Sequence, residues 1–189
     1  MLASEINPKA ISIYVHWPFC LSKCPYCDFN SHVRESVNET DMCKALQSEV
    51  NYFANLVGDR TVKSIFFGGG TPSLMSAKTV ESVIDKISSH WTFSKNPTSV
   101  EAHKFSEFSQ AGINRVSLGI QALNDNDLVS LGREHSVSEA LSAIELSQKY
   151  FKRSNFDLIY ARMGQSIGDW EEELTEAIEI KLDDEGIMD

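Results

Sequence analysis

Three of the four cysteines, Cys20, Cys24 and Cys27, fall within eight residues as C-x3-C-x2-C, and Cys43 stands apart. The first residues, Met1-Leu2-Ala3-Ser4-Glu5, lack the basic start and apolar core of a secretory signal. In such a chain clustered thiols point to metal or redox chemistry more than to a disulfide framework. Three thiolates are one donor short of a structural zinc site, although His16 and His32 flank the triplet and could complete one. A 4Fe–4S cluster held by three cysteines fits the triplet better: thiolates suit soft iron, and one iron stays open for a substrate or cofactor. Cys43 stands at i, i+3, i+7 with Leu46 and Val50 and reads as a buried thiol.

A second feature is the triplet Gly68-Gly69-Gly70, followed by Thr71-Pro72-Ser73. Glycines there allow either a turn or a backbone approach that a Cβ would block. The surrounding pattern supplies elements to position both features. The segments 11–15, 62–67, 113–118 and 155–160 read as strands. Between them lie helical stripes: Met42 to Val57, Val80 to Trp91, and Val137 to Ile144 after the capping box Ser136-x-x-Glu139. Trp170, Leu174, Ala177 and Ile178 mark a further helix, in which Glu171, Glu172 and Glu173 read as a solvated face. Thr98-x-x-Glu101 reads as a capping box that opens a helix through Phe105 and Phe108 to Gly112. Strands alternating with helices predict an α/β fold with a parallel sheet, whose sites lie on loops at the C-terminal strand ends. The cysteine loop, the glycine triplet, Gln121 and Tyr160 all fall on that rim.

Composition limits the partners. The 189 residues carry 17 Lys and Arg against 27 Asp and Glu, a net charge of −10, with 42% apolar residues. Such a balance argues against nucleic acid as a partner. No apolar run approaches the roughly 20 residues of a membrane-spanning helix, so a cytoplasmic protein is expected.

The ordered motifs carry a resemblance. Tyr14-x-His16-x-Pro18-Phe19-Cys20-x3-Cys24-x-Tyr26-Cys27 and Phe67-Gly68-Gly69-Gly70-Thr71-Pro72-Ser73 resemble the cluster loop and glycine motif of radical S-adenosylmethionine (SAM) proteins. With the segments 114–121, 133–135 and 157–160, the chain resembles the oxygen-independent coproporphyrinogen III oxidase group, and within it the heme chaperone (HemW) branch. The resemblance implies that Cys20, Cys24 and Cys27 hold the 4Fe–4S cluster. It also implies that Tyr14, Tyr26, Gly69, Gly70, Thr71, Gln121, Arg133 and Asp157 bind SAM, of which the oxidases hold two molecules. Heme is the implied ligand or cargo, with membrane respiratory heme proteins as recipients, and a dimer is allowed. No residue is singled out as catalytic, and a chaperone is implied more than a coproporphyrinogen dehydrogenase of porphyrin biosynthesis.

Departures from the family pattern qualify this reading. The oxidases carry a fourth cysteine in a C-x-C ending, whereas this chain has Cys27-Asp28-Phe29, as in the chaperone branch. The family's third strand ends in Leu-Glu-Ala, with the Glu on SAM; here Ser94 takes that place in a shortened run. Met163-Gly164-Gln165 replaces the usual Pro-Gly-Gln. The expected fold is an incomplete parallel (βα)6 radical-SAM barrel of about five βα units with a degraded third strand. The expected layout is a partial core domain over residues 1–180 and an unassigned acidic tail over 181–189, without the family's C-terminal domain. Coproporphyrinogen oxidation, a non-functional remnant and a zinc-stabilised domain are the alternative readings.

Overall fold

The computed structural model of the chain describes residues 9–94, 98–101 and 104–180. Strand β1 (Ala10–Trp17) turns Ile11, Ile13, Val15 and Trp17 to the core and leaves Ser12 and Tyr14 exposed. A small parallel pair, β2 (Phe19–Cys20) and β3 (His32–Val33), follows. Helix α1 (Glu39–Val57) starts on Asn38, whose side chain accepts the Asp41 N–H, and ends at Gly58. Then come β4 (Thr61–Gly69), α2 (Ala77–Ser88), the short β5 (Thr92–Phe93) and β6 (Thr98–Glu101), and α3 (Phe105–Gln110). The remainder is β7 (Arg115–Gln121), α4 (Asp125–Ser130), α5 (Val137–Tyr150), β8 (Arg153–Leu158) and α6 (Ile167–Glu179).

The main sheet runs β1-β4-β6-β7-β8, all parallel, with β5 paired to the start of β4. Each new strand is added on the same side. With right-handed crossovers this order sends every connecting helix to one face. On that face Val62, Ile65, Phe67, Val116, Leu118 and Ile120 pack with Val80, Val83, Ile87, Phe108 and Ile144 in one core. A bulge at Lys63, between the pairs Ile11–Val62 and Ser12–Ser64, explains why the buried residues Val62 and Ile65 stand three apart. The other face carries Ser12 bonded to Ser64, and Ser117 bonded to Asn155 and Asp157, beside the stacked rings of Tyr14 and Phe66. Strands of a closed two-layer sheet would be apolar on both faces; this face is the concave side of an incomplete barrel of five βα units.

The third strand is degraded, as expected, and its form is informative. β5 pairs with Thr61 and Val62 at the start of β4, β6 pairs with Ile65 to Phe67 at its end, and residues 95–97 between them lie outside the described residues. Thr98-x-x-Glu101 is therefore a strand and not the opening of a helix, a correction to the sequence reading. Thr98 is buried, its hydroxyl donates to the Gly112 carbonyl, and α3 begins only at Phe105. Without this segment β4 and β7 would face each other with unpaired backbone, which outweighs a local helical preference.

Two further expectations change. Cys43 is half-buried, because no residue of α1 is fully enclosed; the helix flanks an apolar groove of about 470 Å³ with β1, lined by Ile13, Val50, Phe53 and Trp91 among others. Glu173 is not part of a solvated face. It is 8% exposed, accepts the Arg162 guanidinium at 2.7 Å and receives the Leu123 N–H at 2.7 Å, while Glu171 and Glu172 are exposed. Arg162 also reaches Asp127 at 2.9 Å, so one guanidinium joins α4, α6 and the loop after β8.

Candidate metal and cofactor site

The cysteine loop leaves the rim of β1 and is closed at its base by backbone bonds. His32 N–H donates to Pro18 O at 2.7 Å and Arg34 N–H to Cys20 O at 3.1 Å, which brings β2 and β3 side by side. The enclosed segment turns once where Cys27 N–H meets Cys24 O at 3.0 Å. His16 Nε2 bonds the Asn30 carbonyl at 2.9 Å and its Nδ1 lies 3.2 Å from the Tyr14 hydroxyl, so this histidine braces the loop. All four cysteines are free; Cys20 is buried, and Cys24 and Cys27 are half-buried.

The glycine turn docks onto this base. Gly70 N–H donates to Trp17 O at 2.7 Å and Thr71 N–H to Phe19 O at 2.8 Å. A Cβ at Gly69, where φ is +115°, would lie 2.6 Å from Trp17 O, and one at Gly70 would lie 2.7 Å from Phe19 O and 2.8 Å from Cys20 Sγ. The contact that excludes side chains is thus with the cysteine loop itself.

Together these segments enclose a cavity of about 140 Å³. Cys20, Cys24 and Cys27 line it, along with Tyr26, Gly70, Thr71, Gln121 and Arg133. Gln121 ends β7 with φ +75°, an unfavourable conformation for a residue with a side chain. The register shifts there, between Gly119 and Gln121. Arg133 follows Gly132, at which a Cβ would lie 2.8 Å from the Pro25 ring. Its guanidinium donates to Gly119 O at 3.0 Å and lies 3.4 Å from the Tyr26 hydroxyl and 3.6 Å from Cys24 Sγ. Burial pushes the Tyr26 phenol up to about 12 despite Arg133, so at neutral pH it is an uncharged hydroxyl. Burial also lowers His135, whose Nε2 contacts the Ile120 carbonyl at 3.1 Å.

Five of the eight residues expected to bind SAM therefore meet the cysteines in one cavity. Gly69 sits one residue behind it. Tyr14 and Asp157 lie on the concave face, Tyr14 stacked on Phe66 at 5.8 Å and Asp157 accepting from Ser117 at 2.8 Å. Ser94 stands at the far end of the sheet, bonded to Val62 O and Lys63 O. Glu101 instead ends β6 at the rim, one residue after the partner of Phe67. Sequence reasoning missed Ser31, Phe29 and Ser73, which also line the cavity. Their proximity to the cysteine and glycine motifs was the only signal. His32, weighed as a zinc ligand, is exposed, and among the described residues no three His, Cys, Asp or Glu side chains converge as one metal ion requires. A 4Fe–4S cluster takes its thiolates on separate irons, so three cysteines set around a cavity rather than a point, with one iron left open, fit it.

Known proteins resemble this chain in sequence and in fold. The family model described as Radical SAM superfamily matches residues 14–177. The mitochondrial radical S-adenosyl methionine domain-containing protein 1 of Bos taurus is 39% identical over 168 residues, covering 84% of this chain and 38% of that protein. The heme chaperone HemW of Haemophilus influenzae is 39% identical over 184 residues, covering 90% of this chain and 48% of the relative. The heme chaperone HemW of Escherichia coli is 37% identical, with the same two coverages of 90% and 48%. The chain thus spans less than half the length of these relatives. Among solved structures, coproporphyrinogen III oxidase from Escherichia coli, a radical SAM enzyme, superposes with a TM-score of 0.80 at 25% identity, over 93% of this chain and 43% of the enzyme. The AdoMet-bound structure of anSMEcpe shares the fold at a TM-score of 0.60 and 17% identity, over 88% of this chain and 48% of that one.

Proposed function

The chain belongs to the radical SAM superfamily, and from that premise we propose that it is a HemW-like heme chaperone domain that holds a 4Fe–4S cluster and SAM. The observation that carries this reading is the single cavity shared by Cys20, Cys24 and Cys27 with Gly70, Thr71, Gln121 and Arg133. The three thiolates would each take one iron. When bound, the cluster supplies a one-electron reductant beside the SAM sulfonium. The chain's own residues position that chemistry: the glycine turn fixes the cavity wall, Tyr26 supplies a neutral hydroxyl, and Arg133 balances negative charge. Tyr14, Gly69 and Asp157 would contact SAM from the flank.

Chaperone action is favoured over porphyrinogen oxidation by Cys27-Asp28-Phe29, which lacks the oxidases' fourth cysteine, and by 37–39% identity to heme chaperones. The proposed cargo is heme and the proposed recipients are membrane respiratory heme proteins. Among the described residues no helix is long and apolar enough to cross a membrane. Two expected features, the cytoplasm as its location and a dimer, belong to this proposal; one relative's name places that relative in mitochondria.

The test is anaerobic iron–sulfur reconstitution, followed by electron paramagnetic resonance of the reduced protein with and without SAM, and then heme titration. Expected are about four irons per chain, a reduced signal that SAM perturbs, loss of that signal in Cys24→Ser, and heme binding above that of an unrelated acidic protein. A signal that persists in Cys24→Ser sinks the ligand assignment. SAM-dependent formation of protoporphyrinogen would replace the chaperone reading by the oxidase one.

A further inference from the structure

Ser31 is 8% exposed, and its hydroxyl oxygen is one of three buried side-chain polar atoms without a hydrogen-bond partner among the described residues. It lines the same cavity as Cys20, Cys24 and Cys27. Its backbone has little freedom to leave. Asn30 O on one side is held by His16 Nε2 at 2.9 Å, and His32 N–H on the other is held by Pro18 O at 2.7 Å. A buried hydroxyl left unsatisfied is costly, and native structures rarely keep one without a use. The wall it shares includes the three thiols of Cys20, Cys24 and Cys27, so a sulfur-rich group held by them would bring an acceptor to it.

We propose that the Ser31 hydroxyl donates a hydrogen bond to the sulfur shell of the iron–sulfur cluster, either a bridging sulfide or a ligating thiolate, and thereby raises the cluster's reduction potential. A donor facing sulfur stabilises the extra negative charge of the reduced cluster more than that of the oxidised one. Because the bond exists only when the cavity is filled, the partnerless hydroxyl marks a place prepared for that group. The inference rests on the cluster reading above.

The experiment compares the unaltered protein with Ser31→Ala and Ser31→Thr after anaerobic reconstitution. Iron content is measured first. Potentiometric titration is then followed by electron paramagnetic resonance, with pulsed detection of deuteron coupling after exchange into heavy water. At the potential that half-reduces the unaltered cluster, Ser31→Ala is expected to show a reduced-to-oxidised ratio lower by about ten-fold, which for a one-electron couple is about 59 mV. Ser31→Thr, which keeps the hydroxyl, restores most of it. One exchangeable deuteron coupling should disappear in Ser31→Ala. If Ser31→Ala fails to load a cluster, the coupling in Ser31→Thr decides: present it supports the bond, absent it overturns it. Equal midpoints and equal couplings at equal iron content overturn the proposal while leaving the cluster reading intact. Failure of the unaltered protein to load iron removes both.

Discussion

Gln121 shows how one residue can be dictated by its site. Its type in the run 114–121 marks it as a candidate, but only the structure places it at φ +75° with its side chain lining the cysteine cavity. A non-glycine residue in that region costs about 1–3 kcal/mol, so the side chain must return something at the site. Gln121→Gly is expected to raise the unfolding free energy by about 1 kcal/mol while weakening the SAM-induced change in the cluster signal. Chemical denaturation and a SAM titration measure the two effects separately. A glycine variant that gains no stability, or that answers SAM as the unaltered protein does, contradicts this account of the strain. The cysteine triplet and the glycine run were legible because their spacing is local. Ser31 was not, since serine is common and only its burial beside the cysteine cavity gives its hydroxyl a meaning.

At the scale of elements the reading succeeded where a segment's own pattern decides its state. The box Ser136-x-x-Glu139 starts α5 with both reciprocal bonds formed. It failed where a neighbour decides. Thr98-x-x-Glu101 has the same local signature, yet it fills the gap between β4 and β7 as a strand. Glu171-Glu172-Glu173 is uniform in sequence, but helix geometry turns only the third carboxylate inward, toward Arg162. Removing Glu173 leaves the buried Arg162 with Asp127 as its remaining carboxylate partner and strips the Leu123 N–H of its acceptor, and breaking a buried pair is strongly destabilising. Glu173→Ala is therefore expected to lower the unfolding free energy by about 3 kcal/mol or more, with Glu172→Ala within about 0.5 kcal/mol of the unaltered protein. Urea titrations at constant m-value check it. Equal midpoints for the two variants would show that the joint between α4, α6 and the loop after β8 carries no stability.

Across the whole molecule the strand order governs what is covered. Among the described residues the crossover helices pack on one face, so the concave face stays open, and β1 and β8 are the sheet edges. Beside the β1 edge, α1 leaves the apolar groove that contains Phe53, itself 48% exposed. An open apolar groove of this kind takes up hydrophobic dyes. Native protein is expected to enhance anilinonaphthalene sulfonate fluorescence, and Phe53→Glu to reduce that enhancement by about half or more. The melting temperature should stay within about 2 °C, as for an ordinary surface change. Undiminished fluorescence in the variant would place the dye elsewhere. By itself the sequence determined the cysteine spacing, the glycine turn, the βα alternation and the family, because each is written in residues close together along the chain. The tertiary structure alone decided which distant groups share the cavity, that Thr98 to Glu101 is a strand, and which carboxylate is buried. Those outcomes depend on backbone pairing and burial between segments far apart in sequence, where the free energy of satisfying a neighbour exceeds any local preference.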